Sequence, residues 1–286
     1  MSTPQTWSVT ASMREALGSS GLAPAARRLR RERQWWRRRG DLRLERSTGE
    51  GFGFDVAEHS SPTLRVLAGV DPQLQVNKET NLTIACASLD GRVLRPGQLF
   101  SFWHLVRQPT ARRGFLPGVV LSQGRVVTGV GGGLCQLTNL LYWMTLHTPL
   151  TVTERWRHSY DVFPDSGRTL PFASGATCAW PSLDLQVENR TAAAYRLSVW
   201  VADGELRGRW TSDTAPVERY RVYESRHLIT NDAPGVHHRR NELRRRVFDT
   251  DGPEIGDELV AENHALMMYE PFLGAAPVRL PLGPPG

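Results

Sequence analysis

Long hydrophobic runs are missing from this 286-residue chain. No stretch approaches the roughly 18 to 20 apolar residues that cross a bilayer as a helix. The first thirty residues also lack the apolar stretch and small-residue cleavage site of a secretory signal. The expectation is a cytoplasmic protein. Cysteine is scarce as well, with Cys86, Cys135 and Cys178 making up the whole complement of three. An odd, small set in a chain without an export signal argues against a disulfide framework and for free thiols. Short paired Cys and His spacings are absent, so a zinc site from Cys135, His158 and Cys178 is not expected, nor is any other metal or cofactor. There is no internal repeat, no long linker and no recognised nucleic-acid-binding motif.

Basic charge is plentiful, but only in one place. The chain carries 35 basic and 29 acidic residues; Arg14 to Arg46 holds 11 arginines against 4 acids, which leaves 24 against 25 elsewhere. The basicity therefore describes a segment and not the fold. Within it, Ala25 to Arg39 can form a helix in which Trp35 and Trp36 stand beside arginines, a pairing that suits an anionic membrane surface. The alternative is a solvated helix, or one docked on its own fold. Nucleic acid is not expected as a partner.

Three regions follow from composition: an arginine-rich leader over 1–50, a core domain over 51–212 and a β-rich extension over 213–286. In the core, Asn77 to Leu89 reads as a helix with Leu82, Cys86 and Leu89 at helical spacing and Asp90-Gly91 as its stop. Gln98 to Trp103 reads as a strand with Leu99 facing opposite to Phe100 and Phe102. Gly118 to Ser122 and Arg125 to Thr128 read as a hairpin turning at Gln123-Gly124. Further strands are expected near Leu150 to Arg155, Leu183 to Asn189 and Tyr195 to Ala202. The tail alternates β-like stretches with turns at Ala233-Pro-Gly and Asp251-Gly-Pro, and its last residues, from Pro281, are expected to fray. The fold class is mixed α+β, mainly antiparallel strands with a few helices.

Chemistry concentrates at Gly131-Gly132-Gly133-Leu134-Cys135-Gln136, where a glycine run enters a helix. Leu134, Leu137, Leu141 and Met144 form its apolar stripe. Cys135, Thr138, Asn139 and Tyr142 fall on an adjacent, more polar face, so Cys135 sits in the first turn off the packing stripe. A thiolate there is favoured by the helix dipole and by unpaired amides, and the same amides could hold an oxyanion. Gly131, Gly132, Gly133, Gln136 and Thr138 are the candidate oxyanion or substrate-binding residues. A lone cysteine is commonly an inert core residue; the three glycines speak against that here, because a packed core gains nothing from them.

A cysteine nucleophile needs a base. His158 is the leading candidate, since it follows the strand that follows the cysteine helix. His147 lies at the far end of that helix, about 18 Å away at 1.5 Å per residue. His104 is a weaker choice, and His237 and His238 lie in the tail. Asp161 or Glu154 could orient His158, and the sequence does not choose between them. A binding pocket that recognises its ligand without turnover would use the same helix start.

Gly131 to Trp143, with Leu146-His-Thr-Pro-Leu-Thr-Val-Thr-Glu-Arg and His158 after it, resembles the VanW-like family. Leu94-Arg-Pro-Gly-Gln-Leu-Phe-Ser-Phe-Trp upstream and Leu185-Gln-Val-Glu-Asn-Arg-Thr downstream strengthen the likeness, which spans roughly residues 52 to 212. It implies a cysteine acyl-transfer activity similar to that of L,D-transpeptidases, acting on peptidoglycan stem peptides or their precursors. Cys135 would be the nucleophile, His158 the base, and amides around Gly133 to Gln136 the oxyanion donors. The alternative it implies is a non-catalytic accessory protein that binds cell-wall precursors in glycopeptide resistance. In a chain that stays inside the cell, the substrate would be a nucleotide-linked or lipid-linked precursor, the latter met at the inner membrane face.

Overall fold

The computed structural model describes residues 22–64, 69–162, 169–250 and 252–271. In chain order the elements are α1 (Leu22–Arg37), β1 (Phe54–Pro62), α2 (Gln73–Leu89), β2 (Val93–Leu94), β3 (Leu99–Ser101), α3 (Phe102–Val106), β4 (Pro117–Ser122), β5 (Arg125–Val130), α4 (Cys135–Leu146), β6 (Thr151–Glu154), β7 (Tyr160–Asp161), β8 (Gln186–Glu188), β9 (Tyr195–Ala202), β10 (Glu205–Ser212), β11 (Glu218–Ala233), β12 (Val236–Asp249) and β13 (Glu254–Met267). Asp251 and the residues from Pro281 onward lie outside the described residues.

The expected helix before Asp90-Gly91 is α2, which begins four residues earlier than the pattern suggests and stops at that pair. Leu82, Ala85, Cys86 and Leu89 are buried, as a core-facing stripe requires. Its buried Asn81 is a tie-point. The amide donates to the carbonyls of Leu116 at 3.0 Å and Gly132 at 2.9 Å, and its oxygen accepts from Leu116 N–H at 2.8 Å. One polar side chain thereby fixes α2 against the entry to the hairpin and against the glycine run.

Four sheets carry the strands. β1-β10-β9-β2 and β3-β8-β6 are antiparallel, β4 and β5 form a hairpin, and β11-β12-β13-β7 is antiparallel except where β7 runs parallel to β13. The fold is thus α+β with mainly antiparallel strands. The hairpin turns at Gln123-Gly124, both at positive φ (49° and 74°), which is the two-residue turn whose twist matches the strands. The stretch Gln98 to Trp103 is only partly a strand. β3 ends at Ser101, whose hydroxyl accepts from His104 N–H and starts α3, so Leu99, Phe100 and Phe102 all enter the core instead of alternating.

The arginine-rich segment packs on the core through α1. Trp35 is buried and donates its indole N–H to Ser101 Oγ at 3.1 Å. Arg31, also buried, clamps Glu154 with two bonds of 2.6 and 2.8 Å and donates to the carbonyls of Pro181 and Ser182. Trp36 remains outside, 66% exposed, with the Arg39 guanidinium over its ring. Of the two tryptophans, only Trp36 is free to meet another surface.

The tail builds three long strands, and the polar residues on them explain why they persist in water. Arg244 pairs with Asp257 and Arg245 with Glu258 across β12 and β13, while Arg245 and Arg246 lie over the rings of Tyr220 and Tyr223 on β11. The tail sheet meets the core through β7, where Leu266 N–H donates to Ser159 O at 2.9 Å and Met268 N–H to Asp161 O at 2.9 Å.

Candidate functional site

Cys135 is the first residue of α4 and is half-buried. The glycines before it have a packing reason. A Cβ on Gly132 would stand 2.1 Å from the Gly118 carbonyl carbon, and one on Gly133, at φ 93°, would stand 2.1 Å from Cγ of Lys78. The run therefore lets β4, α2 and the helix start close on one another. This corrects the expectation that a packed core gains nothing from three glycines: the space they leave is filled by the protein's own atoms.

The amides divide accordingly. Gly131 N–H donates to Leu116 O, Gly132 N–H to Gly129 O and Gln136 N–H to Gly133 O, each at 3.0 Å. Gly133, Leu134 and Cys135 find no backbone acceptor among the described residues, and no side chain caps the helix. The three unpaired donors thus lie directly before and at the cysteine. Gln136 and Thr138 also have other partners than a substrate. The Gln136 amide reaches Ser61 Oγ and Pro62 O, both at 2.9 Å. Thr138, fully buried, donates to the Ala176 and Cys135 carbonyls.

Thr138 and its neighbour Asn139 place the partner that sequence reasoning passed over. The Asn139 side-chain oxygen accepts from Ala176 N–H at 2.8 Å, so one turn of α4 grips the backbone at Ala176 from both sides. Thr177 then donates to Trp156 O at 2.8 Å in an isolated bridge. These contacts bring Cys178 onto Cys135, with the sulfurs 3.9 Å apart and Cys135 Sγ 3.6 Å from the Cys178 carbonyl. His158, two residues beyond Trp156, lies near enough to favour the charged form of the same thiol. No local pattern marks Cys178, which lies 43 residues from Cys135.

The two thiols are driven apart in acidity. The Cys178 S–H, as hydrogen-bond donor, does most to hold Cys135 well below an ordinary thiol; burial opposes this, and a hydrogen bond and charge from His158 add to it. Burial and the neighbouring Cys135 push Cys178 well above the ordinary value. Of the two, Cys135 is the more acidic thiol and Cys178 the less. Cys86, buried on α2, is pushed up to about 12, first by burial and then by Asp90.

The carboxylates expected to orient His158 are engaged elsewhere. Glu154 receives Arg31 together with Trp156 Nε1 and Asp184 N–H, while Asp161 receives Arg239 at 3.2 Å and the Tyr269 hydroxyl at 2.9 Å. Among the described residues no carboxylate bonds to His158. It borders a shallow depression between the Gln123-Gly124 turn and Ser159-Tyr160. Asp184, fully buried beside Glu154, is pushed up to about 6, burial being the larger cause.

The other histidines stand apart. His147 bonds to Trp143 O at the far end of α4, His237 faces Glu270, and His238 faces Asp232. His104 packs edge-on to Trp35 and is pushed down to about 4, mainly by burial and then by Arg107. It lines a groove of about 450 Å³ beside α1 together with Trp36, Arg107 and Trp180. Among the described residues no cluster of three or more His, Cys, Asp or Glu side chains could hold a metal ion, and no helix is long and apolar enough to cross a membrane.

Comparison with known proteins places this site in a family. Residues 77–211 match the model described as VanW like protein. The chain is 31% identical over 201 residues to the Vancomycin B-type resistance protein VanW of Enterococcus faecalis, covering 70% of this chain and 73% of that one. It is 25% identical over 114 residues to the Uncharacterized protein YoaR of Bacillus subtilis, spanning 40% of this chain but only 36% of that relative. No solved structure matches. The matched region contains the glycine run, Cys135, His158 and Cys178, and the chain belongs to the VanW-like family.

Proposed function

We propose that the protein is a cysteine acyl-transfer enzyme, similar to L,D-transpeptidases, acting on peptidoglycan stem peptides or their precursors. The observation that carries this reading is a thiolate-prone Cys135 at a helix start, with His158 near enough to favour its charge and the amides of Gly133, Leu134 and Cys135 left without a backbone acceptor there among the described residues. Cys135 Sγ would attack an amide carbonyl, and those amides would receive the charge that forms on its oxygen. His158 would hand a proton to the departing amine, leaving a thioester. An acceptor amine would then attack the thioester, giving its proton back to His158 and releasing Cys135.

The site would work on precursors inside the cell, with the exposed Trp36 and Arg39 face of α1 against the anionic inner surface of the membrane. Intact-mass spectrometry with purified lipid-linked and nucleotide-linked precursors tests the chemistry. An acyl adduct on the wild type that disappears in Cys135→Ala is the expected result. No adduct with any stem-bearing precursor counts against turnover.

A second reading is a non-catalytic accessory protein that binds cell-wall precursors in glycopeptide resistance. The lack, among the described residues, of a carboxylate on His158 favours it, because a catalytic imidazole is usually oriented by a third group. In that case Cys135→Ala keeps its affinity for the precursor in calorimetry, and no adduct forms on the wild type.

A further inference from the structure

Cys178 has no part in the acyl-transfer scheme, yet it is the nearest chemical neighbour of the nucleophile. Both sulfurs are held from the backbone: Cys135 by the first turn of α4, Cys178 by the Ala176 bonds to Thr138 and Asn139 and by the paired Ala179 and Leu183 that follow it. They stand 3.9 Å apart, with neither wholly enclosed. A disulfide of about 2.05 Å requires side-chain rotation and little change in fold, provided the two Cβ atoms can approach to about 4 Å. A structural thiol pair would sit in aliphatic surroundings, as Cys86 does, and not beside an imidazole.

We propose that Cys135 and Cys178 are a redox pair that closes reversibly into a disulfide, with a hydroperoxide as the oxidant, Cys135 as the attacking sulfur and Cys178 as the resolving one. The Cys135 thiolate attacks one peroxide oxygen; an S–O bond forms, the O–O bond breaks, and the departing oxygen takes a proton to leave as water or an alcohol. The sulfenic acid on Cys135 is then attacked by Cys178 sulfur. The S–S bond forms, the S–O bond breaks, and the hydroxide leaves as water with the proton from Cys178. One peroxide is reduced and two thiols are oxidised.

The resulting disulfide removes the nucleophile from acyl chemistry until a thiol reductant restores it. It also protects Cys135 from irreversible oxidation to the sulfinic acid, because the resolving sulfur is already in contact. The proposal shares with the acyl-transfer reading only a nucleophilic Cys135, and it requires no acyl donor.

The test is hydrogen peroxide treatment of the full chain, followed by peptide mapping without reduction. The expected product is an intramolecular link between the Cys135 and Cys178 peptides, with a loss of two hydrogens, reversed by dithiothreitol, while Cys86 stays a free thiol. In Cys178→Ser, a sulfenic acid on Cys135 should be trapped by dimedone and pass to the sulfinic acid on longer exposure. In Cys135→Ser, Cys178 should oxidise no faster than Cys86. Wild-type protein that accumulates sulfenic or sulfinic acid on Cys135 without the link overturns the proposal, as does a link only between two chains. The wild-type map is decisive even if a variant fails to fold. A disulfide without any acyl adduct leaves this inference standing and removes the acyl-transfer reading; an adduct without a disulfide does the reverse.

Discussion

Cys135 is surrounded by groups that favour its charge for different reasons. Cys178, with its sulfur 3.9 Å away, does most to favour the thiolate, and His158 adds to it through a hydrogen bond and through charge. Alkylation by iodoacetamide runs through the thiolate, so its pH profile reads the acidity directly. The folded pKa is depressed, so Cys135 should react at pH values where Cys86 is inert. In His158→Ala the midpoint should move upward while staying below that of an ordinary thiol, because Cys178 still donates. In Cys178→Ala it should move further, since that bond is the larger cause. A profile unchanged in both variants would contradict this account. Gly132 makes a second prediction. Its missing Cβ is the space occupied by the Gly118 backbone, so Gly132→Ala should cost about 1–3 kcal/mol of stability in urea unfolding, the usual range for overpacking. Cys135 was legible in the sequence because a glycine run before a helix is a local pattern. Cys178 was not, because its contact depends on two side chains of α4 gripping the backbone at Ala176.

Helix α4 shows how far periodicity reaches. Its stripe of Leu134, Leu137, Leu141 and Met144 is buried as expected, but Thr138 and Tyr142, on the face that reads as polar, are buried too. Thr138 is satisfied by backbone carbonyls, and Tyr142 lies under the Arg155 guanidinium at 4.8 Å. Composition gives no sign of such partners. Strands β1 and β10 escaped for opposite reasons. β1 is an edge strand with the polar sequence FDVAEHSSP, whereas β10 carries Gly208, which admits Leu140 and Met144 of α4. In α1 a docked face, with Arg31 and Trp35, and an exposed face, with Trp36 and Arg39, share one arginine-rich stretch, and charge counting does not separate them. Arg31 is buried against Glu154 and Asp184, so removing it takes a positive charge away from two carboxylates, one of them fully buried. Arg31→Ala should cost about 3–5 kcal/mol, the range for breaking a buried pair by deleting one partner. It should also release α1, which limited trypsin digestion will detect as early cleavage among Arg27 to Arg39. Resistance equal to wild type would mean that Trp35 and the Arg38–Glu188 pair hold the helix without Arg31.

At the scale of the whole molecule, the site lies next to a sheet that supplies none of its reacting atoms. The tail was legible as β-rich with turns, but its parallel pairing with β7 was not, since a two-residue strand has no periodicity to read. That pairing fixes the chain just after His158, and Asp161 on β7 joins Arg239 of β12 in a buried ion pair. Arg155 adds a second link, donating to Asn263 on β13 and to the Ala173 and Gly175 carbonyls, in the segment that leads to Cys178. The stretches leading to or from both partners of Cys135 are therefore tied to the tail sheet. If the tail positions His158, damage to the β7 junction should be felt at the thiol. Asp161→Ala removes a buried partner of Arg239 and an acceptor for the Tyr269 hydroxyl, and should lower stability in urea unfolding, by up to about 3–5 kcal/mol. It should also raise the pH midpoint of Cys135 alkylation in the direction of His158→Ala, although Asp161 makes no bond to the imidazole. His158→Ala should shift that midpoint with little change in unfolding. Loss of stability in Asp161→Ala without any shift at Cys135 would show that the tail is bound to the core but not coupled to its chemistry. A shift in both variants, combined with a stability loss in only one, would establish the β7 junction as the part of the fold that holds the histidine on the cysteine.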